Sequence, residues 1–388
     1  MNEPHPTPVL HVITRLIIGG AQENTLFTAT LLDPARYRLE IACGPQTGSE
    51  GSLIEEARAQ GIPLTIMPDL FRQVSPLHDV KALIALSRFM RQGGFAIVHT
   101  HSSKAGILGR LAARLAGVPV IVHTVHGWSF HDYMPPATRR FYIRLERWMA
   151  SFTNAIIVVA RNDIEKGLRA GIGHRKQYHL IRSAIPLDEF DPKRADRGLI
   201  RRELGLALNA PVIGTVGRLT AQKNPLDWIR VAARIARSRP GAHFLIVGDG
   251  PMRPQVEALI DQEGLTGQVI LAGLRRDGPQ LLAAMDIFML ASMWEGLPRT
   301  IPEAQAMSLP VVANRADGTI EAIQDGLSGY LCQPGDLEGM AARVITLIDH
   351  PALRAEMGQR GRSAALAEFD IRMMIVGIDR LYQQLMKN

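Results

Sequence analysis

At 388 residues the chain exceeds the roughly 250–300 residues that one hydrophobic core usually serves, so two domains are expected. Its 46% hydrophobic and 21% charged residues exclude a disordered chain, and its two distant cysteines, Cys43 and Cys332, exclude a disulfide framework and fit a reducing compartment. The net charge of +7 lies in the first half, where residues 1–197 hold 24 Lys and Arg against 17 Asp and Glu, while residues 198–388 hold 20 of each.

That imbalance points the first half toward an anionic partner. No DNA- or RNA-binding signature accompanies it, so anionic lipid or a phosphorylated acceptor is expected rather than nucleic acid. The N-terminal run MNEPHPTPVLHV lacks the basic and apolar regions of a secretory leader. The longest apolar candidate for a membrane span, 106–125, is interrupted by Arg110 and Arg114. A cytoplasmic protein is expected, either free or peripheral on the inner face of the membrane.

Along the chain, short β-branched runs at 9–14, 39–42, 64–67, 96–99, 120–124 and 156–159 predict strands in the first half. Helical patterns at 79–92 and 106–116 separate some of them. After the first strand, RLIIGGAQENTL places Gly19 and Gly20 where a backbone turns tightly and can approach a ligand, with 21–32 continuing as a helix. An ordinary strand–helix turn fits the same residues.

Five histidines, His99, His101, His123, His126 and His131, gather around two successive strand ends. His99 and His101 share a strand face, a pattern that suits a metal. No Cys or Glu stands at ligand spacing, so a polar cleft wall is expected instead. His126 is the best placed for function, ending a strand just before Gly127. The arginines Arg139, Arg140, Arg144 and Arg147 then interleave with Phe141, Ile143, Leu145, Trp148 and Met149. That pattern fits a basic amphipathic helix on anionic lipid, and equally a core helix with solvated arginines.

The charged stretch at 188–198, DEFDPKRADRG, reads as a linker. Beyond it, strands are predicted at 212–216, 244–247, 269–272, 287–290 and 311–313, with helices at 225–238 and 254–263 and a last helical pattern at 371–386. VGRLTAQKNP puts Arg218 and Lys223 after the first of these strands, where open α/β sheets bind ligands and two cations suit a diphosphate. HFLIVGDGPMR offers Gly248 and Gly250 but has Arg253 where a dinucleotide fingerprint needs its third glycine, so no nicotinamide site is expected. In SMWEGLPRTIPEAQAMSLPVVA, Glu295 and Glu303 frame a turn, and Pro302 belongs in the first turn of a helix. Such carboxylates can grip the hydroxyls of a sugar and of a ribose. Glu303 also fits simple helix capping.

Together these features resemble glycosyltransferase family 4, and the resemblance spans nearly the whole chain. Its most specific part is the run from Ser292 to Ala313, with two glutamates separated by seven residues. The segment from Val98 to Gly127 resembles members that build bacterial surface polysaccharides. The resemblance implies an α/β fold of two doubly wound Rossmann-like domains facing a cleft (GT-B). The expected division is an acceptor-side domain at 1–197, a nucleotide-sugar domain at 198–368, and a helix at 369–388 returning to the first.

It also implies a retaining transferase that moves a sugar from a nucleotide-sugar to a saccharide or lipid-linked acceptor. Arg218 and Lys223 would hold the diphosphate without a metal or other cofactor, and Gly19 and Gly20 would lie near the donor phosphate. Glu295, with Gly296 and Leu297, would hold the sugar, and Glu303 the ribose. His126 would reach the sugar from the first domain, and Gly248, Leu274 and Thr300 would complete the donor site. The pattern departs from the family at Ser308, where Gly is usual, at Arg315 to Glu321, at Ser183-Ala184, and at Pro298, which lacks a backbone donor. Alternatives on the same fold are a nucleotide-sugar epimerase or a non-catalytic sugar-nucleotide-binding subunit.

Overall fold

A computed structural model describes residues 5–46, 48 and 50–387. Residues 1–4, part of the stretch read for a leader, lie outside the described residues. The chain divides into two compact units, Met1–Ser183 with Arg372–Asn388, and Ala184–Ile371. The division falls ahead of the charged stretch at 188–198 because the residues just before it and at its start are anchored in the second unit. Leu187 and Phe190 are buried, Arg362 reaches Asp191 at 3.3 Å, and Ile185 pairs with Asp370.

The first unit holds seven parallel strands: β1 (Thr7–Ile13), β2 (Tyr37–Cys43), β3 (Leu64–Ile66), β4 (Ile97–His101), β5 (Val120–Val125), β6 (Ala155–Val158) and β7 (Tyr178–Leu180), in the order β3-β2-β1-β4-β5-β6-β7. β1, β4, β5 and β6 are buried along nearly their whole length, as a sheet covered on both faces requires, although buried His and Thr interrupt their apolar runs. Arg110, which interrupts the apolar run of the helix Ser103–Ala116, is itself buried and pairs with buried Glu146 at 2.7 Å. The C-terminal helix Ile371–Lys387 buries Met374, Ile378, Leu381 and Tyr382, a helical spacing that makes one apolar stripe. Asp379 on the same helix accepts from Tyr37 Oη at 2.8 Å and pairs with Arg36 at 3.1 Å.

The second unit holds six parallel strands: β8 (Val212–Val216), β9 (His243–Val247), β10 (Val269–Gly273), β11 (Ile287–Leu290), β12 (Val311–Asn314) and β13 (Gly329–Cys332), in the order β10-β9-β8-β11-β12-β13. At the N-terminal ends of β8 and β11, Asp286 accepts from Arg197, Arg201 and the Val212 amide at 2.7 to 2.9 Å. Arg201 is fully buried and also donates to four backbone carbonyls. This network ties one end of the sheet together and leaves the opposite end for chemistry.

In each sheet the strand order reverses once, between β1 and β4 and between β8 and β11. At such a switch point the connections leave toward opposite faces, and ligands bind beyond the C-terminal strand ends. The edge strands β7 and β13 were not expected from sequence. They are only three and four residues long, too short for a period-2 pattern to stand out.

Candidate functional site

The second unit builds a charged cluster at its switch point. Beyond β8 the chain turns through Thr220 to Asn224, with the Lys223 and Asn224 amides both donating to Thr220 O at 3.0 Å. Asn224 takes a left-handed φ of 50°, and Pro225 opens the helix Pro225–Ser238. This geometry holds Lys223 in place, and its Nζ lies 2.5 Å from Glu295 Oε1, beyond β11. Gln222 reinforces the pair by donating to Trp294 O at 3.0 Å and to Glu295 Oε2 at 3.5 Å. The Glu295 amide donates to Asp317 Oδ2 at 3.2 Å, which joins the loop beyond β12 to the same cluster. A small pocket beside it is lined by Gly217, Arg218, Leu219 and Lys223 with Thr215, Pro225 and Trp228.

Gly248 has a φ of 130°, and a Cβ there would sit 2.1 Å from Gly217 O. Close backbone packing between the β8 and β9 loops therefore demands glycine at this position, apart from any ligand. Glu303 stands in the first turn of the short helix Thr300–Ala306, and Arg299 Nη2 approaches it to 3.6 Å. Thr300 Oγ1 is buried and has no hydrogen-bond partner among the described residues. Gly296 and Leu297 are buried beside Glu295, and Leu274 is exposed on the loop after β10.

At the first unit's switch point the chemistry differs. Gly19 is extended at the start of the helix Gly20–Leu31, and Gly20 is exposed. Thr14 Oγ1 and Ser102 Oγ lie 2.8 Å apart, joining the ends of β1 and β4. Ser102 itself takes a left-handed φ of 61°. His126, half-buried, follows β5, and Gly127 turns the chain at a φ of 133°.

The expected polar cleft wall of histidines is corrected by this arrangement. His99, His101 and His123 are buried in the sheet rather than lining a surface, with His99 fully enclosed. Strand register sets His11 opposite His99, and His11 Nδ1 lies 2.9 Å from His101 Nε2. Ligand atoms of His11, His99 and His101 fall within 4.8 Å of one another, a spacing a metal could use. The 2.9 Å separation is that of a hydrogen bond, and among the described residues no carboxylate or thiolate joins the group. Burial pushes the His11 imidazole down to about 3 and holds His99, His101 and His123 well below the usual range, so all four are neutral at pH 7.

Among the expected residues, then, Arg218, Lys223 and Glu295 come together at one strand edge of the second unit. Glu303 and Thr300 lie on the helix that follows. Gly19, Gly20 and His126 belong to the first unit. Sequence reasoning missed Gln222, Asp317 and His11. Gln222 adjoins Lys223 in the same run, but only the pairing of β8 with β11 brings it to Glu295.

Two family models match the chain: "Glycosyl transferases group 1" over residues 196–364 and "Glycosyl transferase 4-like domain" over residues 19–182. The chain is 31% identical over 383 residues to the UDP-Gal:alpha-D-GlcNAc-diphosphoundecaprenol alpha-1,3-galactosyltransferase of Escherichia coli, covering 98% of this chain and 97% of that enzyme. It is 28% identical over 295 residues to the alpha-D-kanosaminyltransferase of Streptomyces kanamyceticus, covering 73% and 76% of the two chains. In fold it is similar to the Anabaena protein HepE solved with UDP and glucose, at a TM-score of 0.85 and 22% identity over 97% of this chain and 100% of that one.

Proposed function

This chain belongs to the group 1 glycosyltransferases, with the GT-B fold, and we propose that its donor is a UDP-hexose and its acceptor a saccharide carried on a polyprenyl diphosphate. The observation that carries the reading is the Lys223–Glu295 pair beyond β8 and β11, with Arg218 on the adjoining loop. A leaving nucleoside diphosphate gains negative charge as the glycosidic bond breaks. A fixed cation in a partly dried pocket stabilises that charge far more than water does. Glu295 orients Lys223 by a charge-assisted bond and presents its second oxygen to sugar hydroxyls. Glu303 takes the ribose hydroxyls.

In this reading the acceptor hydroxyl attacks the anomeric carbon on the face the diphosphate leaves. The C–O bond to the β-phosphate breaks with its electron pair on the diphosphate, which also takes the hydroxyl proton. The anomeric configuration is retained. Arg218 and Lys223 carry the charge that a divalent metal carries elsewhere, so turnover is expected to persist in EDTA. The test is a thermal-shift series against UDP-, GDP- and ADP-sugars, followed by NMR of the product made on a polyprenyl-diphosphate saccharide. Stabilisation by UDP-hexoses and an α-linked product are expected. A β-linked product sinks retention, and stabilisation by another nucleotide alone sinks the UDP assignment.

Peripheral binding at the cytoplasmic face of a membrane completes the proposal. On the helix Pro136–Ala150, Arg140, Phe141, Arg144, Arg147 and Trp148 are exposed, at spacings that place them on one face. Cations beside aromatic rings suit an anionic lipid surface. No helix among the described residues is long and apolar enough to cross a membrane. Sedimentation with anionic but not neutral vesicles is expected, and equal binding to both would refute the surface.

A further inference from the structure

One chain of hydrogen bonds in the first unit is not used by the chemistry above. It begins at Thr124, whose Oγ1 lies 2.6 Å from His99 Nε2. His99 Nδ1 lies 2.6 Å from Tyr382 Oη, on the C-terminal helix. Tyr382 Oη is 3.5 Å from His11 Nε2, the longest link. His11 Nδ1 is 2.9 Å from His101 Nε2, and His101 Nδ1 is 3.1 Å from His126 Nε2. Every member except His126 is buried.

Proton counting along this chain fixes its direction. A neutral imidazole has one N–H and one lone pair, and a hydroxyl donates once. The buried imidazoles are neutral, so the bonds run one way on each side of Tyr382. If Tyr382 accepted from both His99 and His11, its own buried proton would be stranded, which leaves two uniform directions. If the protons pointed from His126 toward Thr124, the Thr124 hydroxyl would accept from His99 and have no acceptor for its own proton. Thr124 makes no other side-chain hydrogen bond among the described residues, and it is buried. A buried unsatisfied donor costs about 1–3 kcal/mol. With the protons pointing the other way, Thr124 donates to His99, His99 to Tyr382, Tyr382 to His11, His11 to His101, and His101 to His126. No donor in the chain is then stranded.

We propose that His11, His99, His101, Thr124 and Tyr382 are positioning residues that hold His126 with Nε2 as acceptor and its proton on Nδ1. His126 then carries its hydrogen-bond donor at Nδ1, and its Nε2 lone pair is engaged by His101, so it does not act as a base through Nε2. Its bearing on turnover rests on the reading of His126 as a donor-sugar residue, but the tautomer itself does not.

The experiment is 15N NMR of the histidine-labelled full chain, with His126→Ala used to assign its signals. A protonated Nδ1 and unprotonated Nε2 at His126 are expected at pH 7.5. Tyr382→Phe removes one oxygen and cuts the chain, and a second His126 set with Nε2 protonated should then appear. Thr124→Val, which removes the terminal donor at constant volume, should do the same if the helix variant fails to fold. In kinetics, Tyr382→Phe should lower kcat about fivefold, as loss of one neutral hydrogen bond would. It should cost nothing further in the His126→Ala background. A wild-type Nε2–H tautomer, or an unchanged tautomer in both variants, overturns the proposal. So does stoichiometric zinc in the purified protein, because the nitrogen lone pairs would then be on the metal. Unchanged activity of His126→Ala with the predicted tautomer overturns only the donor-sugar role.

Discussion

The two sheets reverse their strand order in the same way and arm the two edges with different side chains. Beyond β8 and β11 the side chains are ionic: Lys223 against Glu295, with Arg218 beside Lys223 and Asp317 reaching in from the loop beyond β12. Beyond and beneath the ends of β1, β4 and β5, imidazoles and hydroxyls predominate, with the ion pairs Arg15–Glu50 and Lys104–Asp79 beside them. Topology alone therefore says where a ligand binds but not which part of it. A charged diphosphate suits the ionic edge, and neutral hydroxyls suit the imidazole edge. The difference in chemistry also makes the two units differ in how they respond to pH and to mutation.

The largest expected effect is acid lability confined to the first unit. His11, His99, His101 and His123 are held neutral by burial, with His11 down to about 3. Below the ordinary value of 6.5 the unfolded chain binds protons that the folded unit refuses. Stability is thus full above pH 6.5 and falls as pH drops, for His11 by about 1.4 kcal/mol per pH unit until about pH 3, with His99, His101 and His123 acting in the same direction. Hydrogen exchange resolved by peptide, corrected for the intrinsic rate, should show opening of β1, β4 and β5 at pH 5.5 while β8 and β11 hold. Uniform opening of both sheets would break the contrast.

The next effect is on turnover at the ionic edge. Lys223→Ala should reduce kcat about 10²- to 10³-fold, the usual loss for one preorganised charge-stabilising group, and should weaken UDP-sugar binding. His126→Ala should cost only about tenfold, because it removes one neutral hydrogen bond and its packing. Steady-state kinetics of the two variants side by side measure the difference. Equal losses would mean that the imidazole edge carries charge development too, and a wild-type rate for Lys223→Ala would sink the diphosphate assignment.

Much of this contrast was legible before the fold was known. Lys223, Glu295 and Glu303 sit in runs whose turn chemistry, Asn224-Pro225 and Pro302, is local and readable. The helix over 371–386 announced itself by period, and it is observed as Ile371–Lys387. What sequence hid was non-local. His11 reads as one polar residue in an apolar strand, and only the parallel register with β4 places it against His99 and His101. The same lack of register turned a buried imidazole chain into an expected cleft wall. Tyr382 is 283 residues from the histidine it bonds, and no spacing rule reaches that far.

The smallest effect tests whether the departures from the family pattern are structural or chemical. Ser308 stands where glycine is usual, and its φ of 62° is left-handed, which explains the glycine without any ligand. A non-glycine residue there costs roughly 1–2 kcal/mol. Glycine would remove that cost but lose about 0.4–1 kcal/mol through the greater freedom of the unfolded chain. The Ser308 hydroxyl gives little in return, since its contact with Gln359 is 3.5 Å and exposed. Ser308→Gly should therefore stabilise the second unit by up to about 1 kcal/mol in urea unfolding and leave donor kinetics unchanged. A shift in donor KM would place Ser308 within reach of the site and move this departure from the backbone to the chemistry of the ionic edge.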